Sequence, residues 1–230
     1  MRVLIVQNDP QVPPGHLEQV AAQGHELRVR LASEGNLDAG SFDVVVLLGG
    51  EMGAFDTAEH PWLDDEKAFI RKLVADDVPV LGVCLGCQLL ADALGGRAYP
   101  APAPEARFEP VTMRSADATV AALSFAPVLM LHDDTWDPPP GATVVAESAS
   151  YLQAFRLGSA LGIQPHPELT PAIVADWFGS DDVRRSIEKA GNDPDGLRAA
   201  LDANAEQIAA TADHFFGAWL EEAAADGGAA

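Results

Sequence analysis

Apolar positions along the first hundred residues fall into short blocks separated by turn-forming residues. Residues 2–6 (Arg-Val-Leu-Ile-Val) predict a first strand. Asp43 to Leu48 is nearly all apolar and stops at Gly49-Gly50, as expected of a strand buried on both faces. Val78 to Val83 has the same character, and Glu26 to Leu31 alternates apolar and polar, which predicts another strand. Between these lie helical spacings. His16 to Gln23 is a weak helical stretch preceded by Pro13, Pro14 and Gly15 and ended by Gly24. Pro61 sits at a helix start, followed by Trp62, Phe69, Ile70, Leu73 and Val74 at helical intervals. Leu85, Leu89, Leu90, Ala93 and Leu94 share one face of a third helix. Strands alternating with helices, with the strands continuously apolar, predict an α/β domain around a parallel central sheet.

From about residue 98 the texture changes. Tyr99-Pro100-Ala101-Pro102-Ala103-Pro104 reads as a loop, because proline lacks an N–H for any ladder. Strand-like runs follow at 109–114, 128–132, 143–146, 151–156 and 160–164, and Asp137-Pro138-Pro139-Pro140-Gly141 is a turn. Thr170 and Pro171 supply the N-cap and first position of a helix reaching Phe178. From about Asp193 one long amphipathic helix is expected, with Leu197, Leu201, Ile208, Ala212, Phe215, Trp219 and Leu220 on a face that packs on its own domain or on a second copy of the chain. The organisation so read is a domain over 1–190, a helical extension over 191–225 and a disordered tail over 226–230.

Composition narrows the function. The 230 residues carry 35 acidic and 14 basic side chains, a net charge of −21. Nucleic acids and anionic membranes need a basic patch, so neither is an expected partner. No apolar run approaches the ~20 residues that cross a bilayer. The apolar segment at the N-terminus is too short for a signal peptide, so a cytoplasmic location is expected. Two cysteines three positions apart make no disulfide framework.

Those cysteines carry the strongest chemical signal. Cys84 follows the apolar run 78–83 and opens the third helix, with Gly82 and Gly86 two residues to either side. This is the G-x-nucleophile-x-G elbow with cysteine in place of serine. A helix N-terminus behind the sulfur favours a thiolate. A nucleophile of this kind needs a base, and the base an orienting group. Of six histidines, His166 follows an apolar strand, and Glu168 lies two residues on, across Pro167. An oxyanion needs N–H donors. Leu85, the residue after the nucleophile, supplies one, and Gly49-Gly50 is the natural source of the second. A rival reading remains open, since Cys84-Leu85-Gly86-Cys87 is formally a C-x-x-C at a strand-to-helix junction, as in redox proteins. No second C-x-x-C completes a zinc site.

Taken together, Leu48 to Met52, Pro79 to Gln88 continuing through Gly95-Gly96, His132 to Trp136, and Gly162 to Glu168 resemble the class I glutamine amidotransferases, in particular the stand-alone GMP-synthase-like branch. The resemblance covers roughly residues 40–178. It implies a three-layer, flavodoxin-like architecture and a Cys84–His166–Glu168 triad, with Gly50 and Leu85 N–H groups as oxyanion donors. It places Gln88 and Gly49 at the substrate, makes Asp134 a candidate for the substrate α-ammonium, and makes His132 a structural neighbour. It implies hydrolysis of glutamine or another γ-glutamyl compound through a thioester, with no cofactor or metal. Because 230 residues leave no room for a synthetase domain, ammonia transfer would need a separate partner protein as acceptor. A γ-glutamyl peptidase of the same fold and a catalytically idle binding protein are the alternatives. Cys87, Pro165 and Arg107 depart from the family pattern and bear on pocket shape.

Overall fold

The computed structural model describes residues 1–37 and 42–227. The first half runs β1 (Arg2–Gln7), α1 (His16–Ala21), β2 (Glu26–Leu31), β3 (Val44–Leu47), α2 (Trp62–Ala75), β4 (Val80–Val83) and α3 (Leu85–Ala93). The second half adds β5 (Arg97–Glu109), β6 (Thr112–Met113), α4 (Ala122–Phe125), β7 (Val128–Asp137), β8 (Thr143–Glu147), β9 (Leu152–Leu157) and β10 (Ala160–Ile163). It closes with α5 (Pro171–Trp177), α6 (Asp181–Lys189), α7 (Pro194–Ala203) and α8 (Ala205–Gly227).

Eight strands form one sheet in the order β2-β1-β3-β4-β10-β9-β8-β6. The β2-β1-β3-β4-β10 stretch is parallel, and β9, β8 and β6 continue it antiparallel. Successive side chains of a strand point to opposite faces, so each apolar run feeds two cores. Val3 and Ile5 of β1 and Val44 and Val46 of β3 meet Leu17 and Val20 of α1 and Phe215, Phe216 and Trp219 of α8. Leu4, Val6, Val45 and Leu47 meet Leu63, Ile70 and Leu73 of α2 and Leu89 and Leu90 of α3. This is the three-layer α/β arrangement with a mostly parallel sheet that the apolar blocks predict. A third cluster joins α5, α6 and α7 through Val174, Trp177, Ile187 and Leu201.

The structure differs from the pattern reading in three places. The proline-rich segment 99–104 is not a free loop but part of β5, which pairs with β7 in a separate two-stranded ribbon. Pairing covers Arg97–Pro100 and Glu105–Glu109, and the register slips between Pro100 and Glu105. Pro102 and Pro104 are tolerated because they sit where the ladder is interrupted, and Pro100 is the last paired position before it. There the Ala103 N–H and carbonyl bond the Tyr151 hydroxyl instead, at 3.3 and 2.6 Å. Second, the helix expected from Asp193 is two helices, α7 and α8, parting at Asn204, a non-helical C-cap. Third, α4 and α6 have no counterpart in the pattern. Helix α6 buries only Ile187 and half-buries Val183, so just two apolar residues mark its inner face. Of the expected tail, 226 and 227 continue α8, and 228–230 lie outside the described residues. No helix among the described residues is long and apolar enough to cross a membrane.

Candidate active site

Cys84 lies between β4 and α3 with φ 52° and ψ −110°, a backbone conformation that L-residues rarely adopt. Neighbouring elements pack too closely for side chains on the flanking glycines. A β-carbon on Gly86 would collide with the Leu47 carbonyl of β3, and one on Gly82 with the Gly86 carbonyl. The turn is held from the sheet side by the Cys84 N–H donating to the Ile163 carbonyl at 2.9 Å. Leu85 starts α3, so its N–H has no intrahelical acceptor.

The chain leaves β10 at Ile163 and carries His166 to the same end of the sheet. The Gln164 N–H donates to the Gln153 carbonyl at 2.8 Å, and the His166 N–H to the Leu129 carbonyl at 2.8 Å. His166 Nδ1 is 2.7 Å from Glu168 Oε1, with both residues buried. The Glu168 carbonyl accepts from the His16 N–H at 2.8 Å, which ties this corner to α1. Burial opposes charge on the imidazole, but Glu168 and then Cys84 outweigh it and hold the His166 pKa well above the ordinary value. The structure therefore brings Cys84, His166 and Glu168 together. Gly49 flanks the group, since a β-carbon there would stand 3.6 Å from both Cys84 Cβ and His166 Cε1.

Cys84 and His166 border a cavity of about 880 Å³, with Gly50, Leu85, Gln88 and Asp134 also on its wall. Gln88 is buried, and its Nε2 reaches the Asp134 carbonyl and Gln164 Oε1, each at 3.4 Å. Asp134 is half-buried. Burial, then Asp133 and Asp56, push its pKa up, so a cation beside it would relieve a repulsive field. His132 braces β7 at Asp134: Nδ1 lies 2.8 Å from the Asp134 carbonyl and Nε2 3.0 Å from buried Glu105 Oε2. Ser148 and Gln153 also donate to Glu105, at 2.7 and 2.6 Å. Cys87 is fully buried and absent from the cavity wall. It packs toward β10, where a β-carbon on Gly162 would be 2.8 Å from its sulfur. Burial, then Cys84, push its thiol pKa well up.

Several wall residues were not among the sequence candidates. Trp177 of α5 sets its ring edge-on to His166, with centroids 5.1 Å apart, and its Nε1–H donates to the Gln11 carbonyl at 2.8 Å. Asp182, Val183 and Ser186 of α6 close the far side. Ser180 followed by Asp181 and Asp182 is an N-cap with first-turn acids, the one local signal for that helix.

An α/β sheet with a cysteine elbow at the carboxyl ends of its parallel strands defines the class. The family is shown by comparison: the glutamine amidotransferase class-I profile matches residues 16–174, and the chain belongs to that family. Among curated relatives, the glutamine amidotransferase-like protein chyE of Penicillium rubens is 27% identical over 65% of this chain and 65% of its own length. The glutamine-hydrolyzing GMP synthase subunit of Ignicoccus hospitalis is 30% identical over 64% of this chain and 77% of its own. The match covers 23% of the length of the glutamine-hydrolyzing GMP synthase of Thermomicrobium roseum. Among solved structures, a glutamine amidotransferase of Thermotoga maritima superposes with a TM-score of 0.81 at 26% identity, covering 96% of this chain and 98% of that one. One from Methylobacillus flagellatus gives 0.83 at 26% identity, over 96% and 94%.

Proposed function

We propose that the protein hydrolyses a γ-glutamyl amide, with glutamine as the first candidate, and that Cys84, His166 and Glu168 carry the reaction. The observation behind this reading is the 2.7 Å contact from Glu168 to His166 Nδ1 beside a cysteine on a strained elbow. With Nδ1 engaged by Glu168, Nε2 is the nitrogen left for the sulfur and the substrate.

The Cys84 thiolate attacks the γ-carbonyl carbon, and the carbonyl oxygen becomes an oxyanion facing the Gly50 and Leu85 N–H groups. Imidazolium at His166 donates its Nε2 proton to the departing nitrogen; the C–N bond breaks as the C–S thioester remains. Water then gives a proton to Nε2 and attacks the thioester, releasing glutamate and restoring the thiolate. The raised pKa of His166 suits the first proton transfer. Asp134 faces the substrate ammonium, and Gln88 shapes the wall beside it. In the amidotransferase version the ammonia passes to a separate acceptor protein. The name of the Ignicoccus relative, which makes it one subunit of a GMP synthase, supports a divided arrangement of that kind.

A second reading, hydrolysis of a larger γ-glutamyl amine, is favoured by the cavity itself. Among the described residues its wall holds Glu51, Asp133, Asp134, Asp176 and Asp182 and no lysine or arginine, in a volume well above that of glutamine. Glutamate release from glutamine and from a panel of γ-glutamyl amides separates the two. Cys84→Ala should abolish release with binding retained; turnover in that variant would overturn the assignment.

A further inference from the structure

Behind the Gly49-Gly50 loop lies an ionisable group that the mechanism above does not use. Glu66 of α2 is fully buried, and Asn8, which follows β1, is nearly so. Asn8 Nδ2 donates to the Leu48 carbonyl at 3.1 Å and to Glu66 Oε1 at 3.3 Å. Leu48 is the residue just before Gly49-Gly50. The same side chain backs the loop: a β-carbon on Gly50 would stand 3.3 Å from Asn8 Cβ. Two buried atoms of the pair are without a partner, Asn8 Oδ1 and Glu66 Oε2. One is an acceptor, and a proton makes the other a donor.

We propose that Glu66 is a positioning residue for the oxyanion loop. Its protonated carboxyl closes a two-hydrogen-bond ring with the Asn8 carboxamide, Nδ2–H to Oε1 and Oε2–H to Oδ1. The ring fixes Asn8 on the Leu48 carbonyl and so holds the Leu48–Gly49 peptide, from which the next peptide, carrying the Gly50 N–H, continues. The inference rests on the hydrolase reading for the role of that N–H, and on the two orphaned atoms for the ring.

The surroundings favour the protonated form. Burial raises the Glu66 pKa to about 8, against a smaller lowering by Asn8. Among the described residues no charged group compensates: Lys67 pairs with Asp92 of α3 at 2.6 Å, Cys87 of α3 is a buried thiol, and neither acts on Glu66. An ionised Glu66 would leave Asn8 Oδ1 facing only acceptors, and the Asn8 clamp would lose its second bond.

The test compares wild type, Glu66→Gln and Glu66→Leu on glutamine, or on the best γ-glutamyl amide of the panel, across a pH series. Alkylation of Cys84 by iodoacetamide, which needs no oxyanion site, is the control. Expected are a component of the wild-type alkaline fall in kcat near pH 8 that Glu66→Gln lacks, leaving only the fall set by loss of the His166 imidazolium, and a loss of about tenfold or more in kcat for Glu66→Leu, with KM and alkylation rate little changed. A Glu66→Gln profile with the wild-type alkaline fall, or full kcat in Glu66→Leu, overturns the proposal. If Glu66→Leu does not fold, the Glu66→Gln profile decides. Wild type inert on every γ-glutamyl amide would sink the hydrolase reading instead. The ring is then judged by infrared spectroscopy: a buried carboxylic-acid carbonyl band at pH 7, lost in Glu66→Gln and shifted in Asn8→Leu, is required, and its absence rejects the ring.

Discussion

Glu168 Oε1 lies 2.7 Å from His166 Nδ1, and no part of the Glu168 side chain reaches solvent. A buried carboxylate of this kind fixes the tautomer of the ring and favours its charged form. Burial alone would push the imidazole the other way.

Replacing Glu168 with glutamine should therefore lower the His166 pKa and cut kcat by about 10²–10⁴-fold, less than loss of Cys84 itself. The sign for stability follows. A histidine whose folded pKa is raised stabilises the fold below its unfolded pKa, ordinarily 6.5, and that contribution disappears as pH rises through the folded value. Wild type should lose more stability over that window than Glu168→Gln. NMR titration of the His166 ring with pH-dependent urea unfolding checks both; an unshifted ring pKa in the variant would contradict the account.

Asp134 should act on binding. Asp134→Asn is expected to raise KM about tenfold or more, with kcat changed little, because burial and then the field of Asp133 and Asp56, which lift its pKa, are what a substrate ammonium would offset. Initial-rate kinetics decide, and an unchanged KM removes Asp134 from substrate recognition.

Gly86→Ala is expected to destabilise by about 3 kcal/mol or more, since its methyl meets the Leu47 backbone and not a yielding side chain. Thermal unfolding measures this. A variant with the wild-type Tm would show that β3 and α3 can part without cost.

Glu66 gives a stability signature independent of turnover. Its folded pKa of about 8 exceeds the ordinary 4.5, so the folded state holds a proton that the unfolded chain releases as pH rises. Stability is thus lost steadily between those two values and is level above them. Glu66→Gln carries no such proton. Relative to wild type it should gain on the order of 4 kcal/mol between pH 4 and pH 8. Denaturant unfolding at both pH values reads the difference; a gap between the two proteins that does not change with pH would mean that Glu66 ionises normally.

The sequence by itself determined the features written in contiguous residues. The apolar blocks at 2–6, 43–48 and 78–83 became β1, β3 and β4, because a strand buried on both faces must be apolar along its whole length. Gly82, Cys84 and Gly86 announced the elbow, since a turn that tight demands glycine at fixed offsets. His166 and Glu168 were legible as a pair because they stand two positions apart and their chain segment follows a strand. Only the tertiary structure decided what depends on contacts between distant segments. Prolines 100–104 lie within a strand because β7 pairs with Arg97–Pro100 and Glu105–Glu109 and Tyr151 bonds Ala103 between them. The edge of Trp177 against His166, the wall from α6, and the clamp of Asn8 on Leu48 and Glu66 leave no pattern in the chain. A single glutamate on a helix reads as solvated, and only packing against the end of β1 makes it a buried acid.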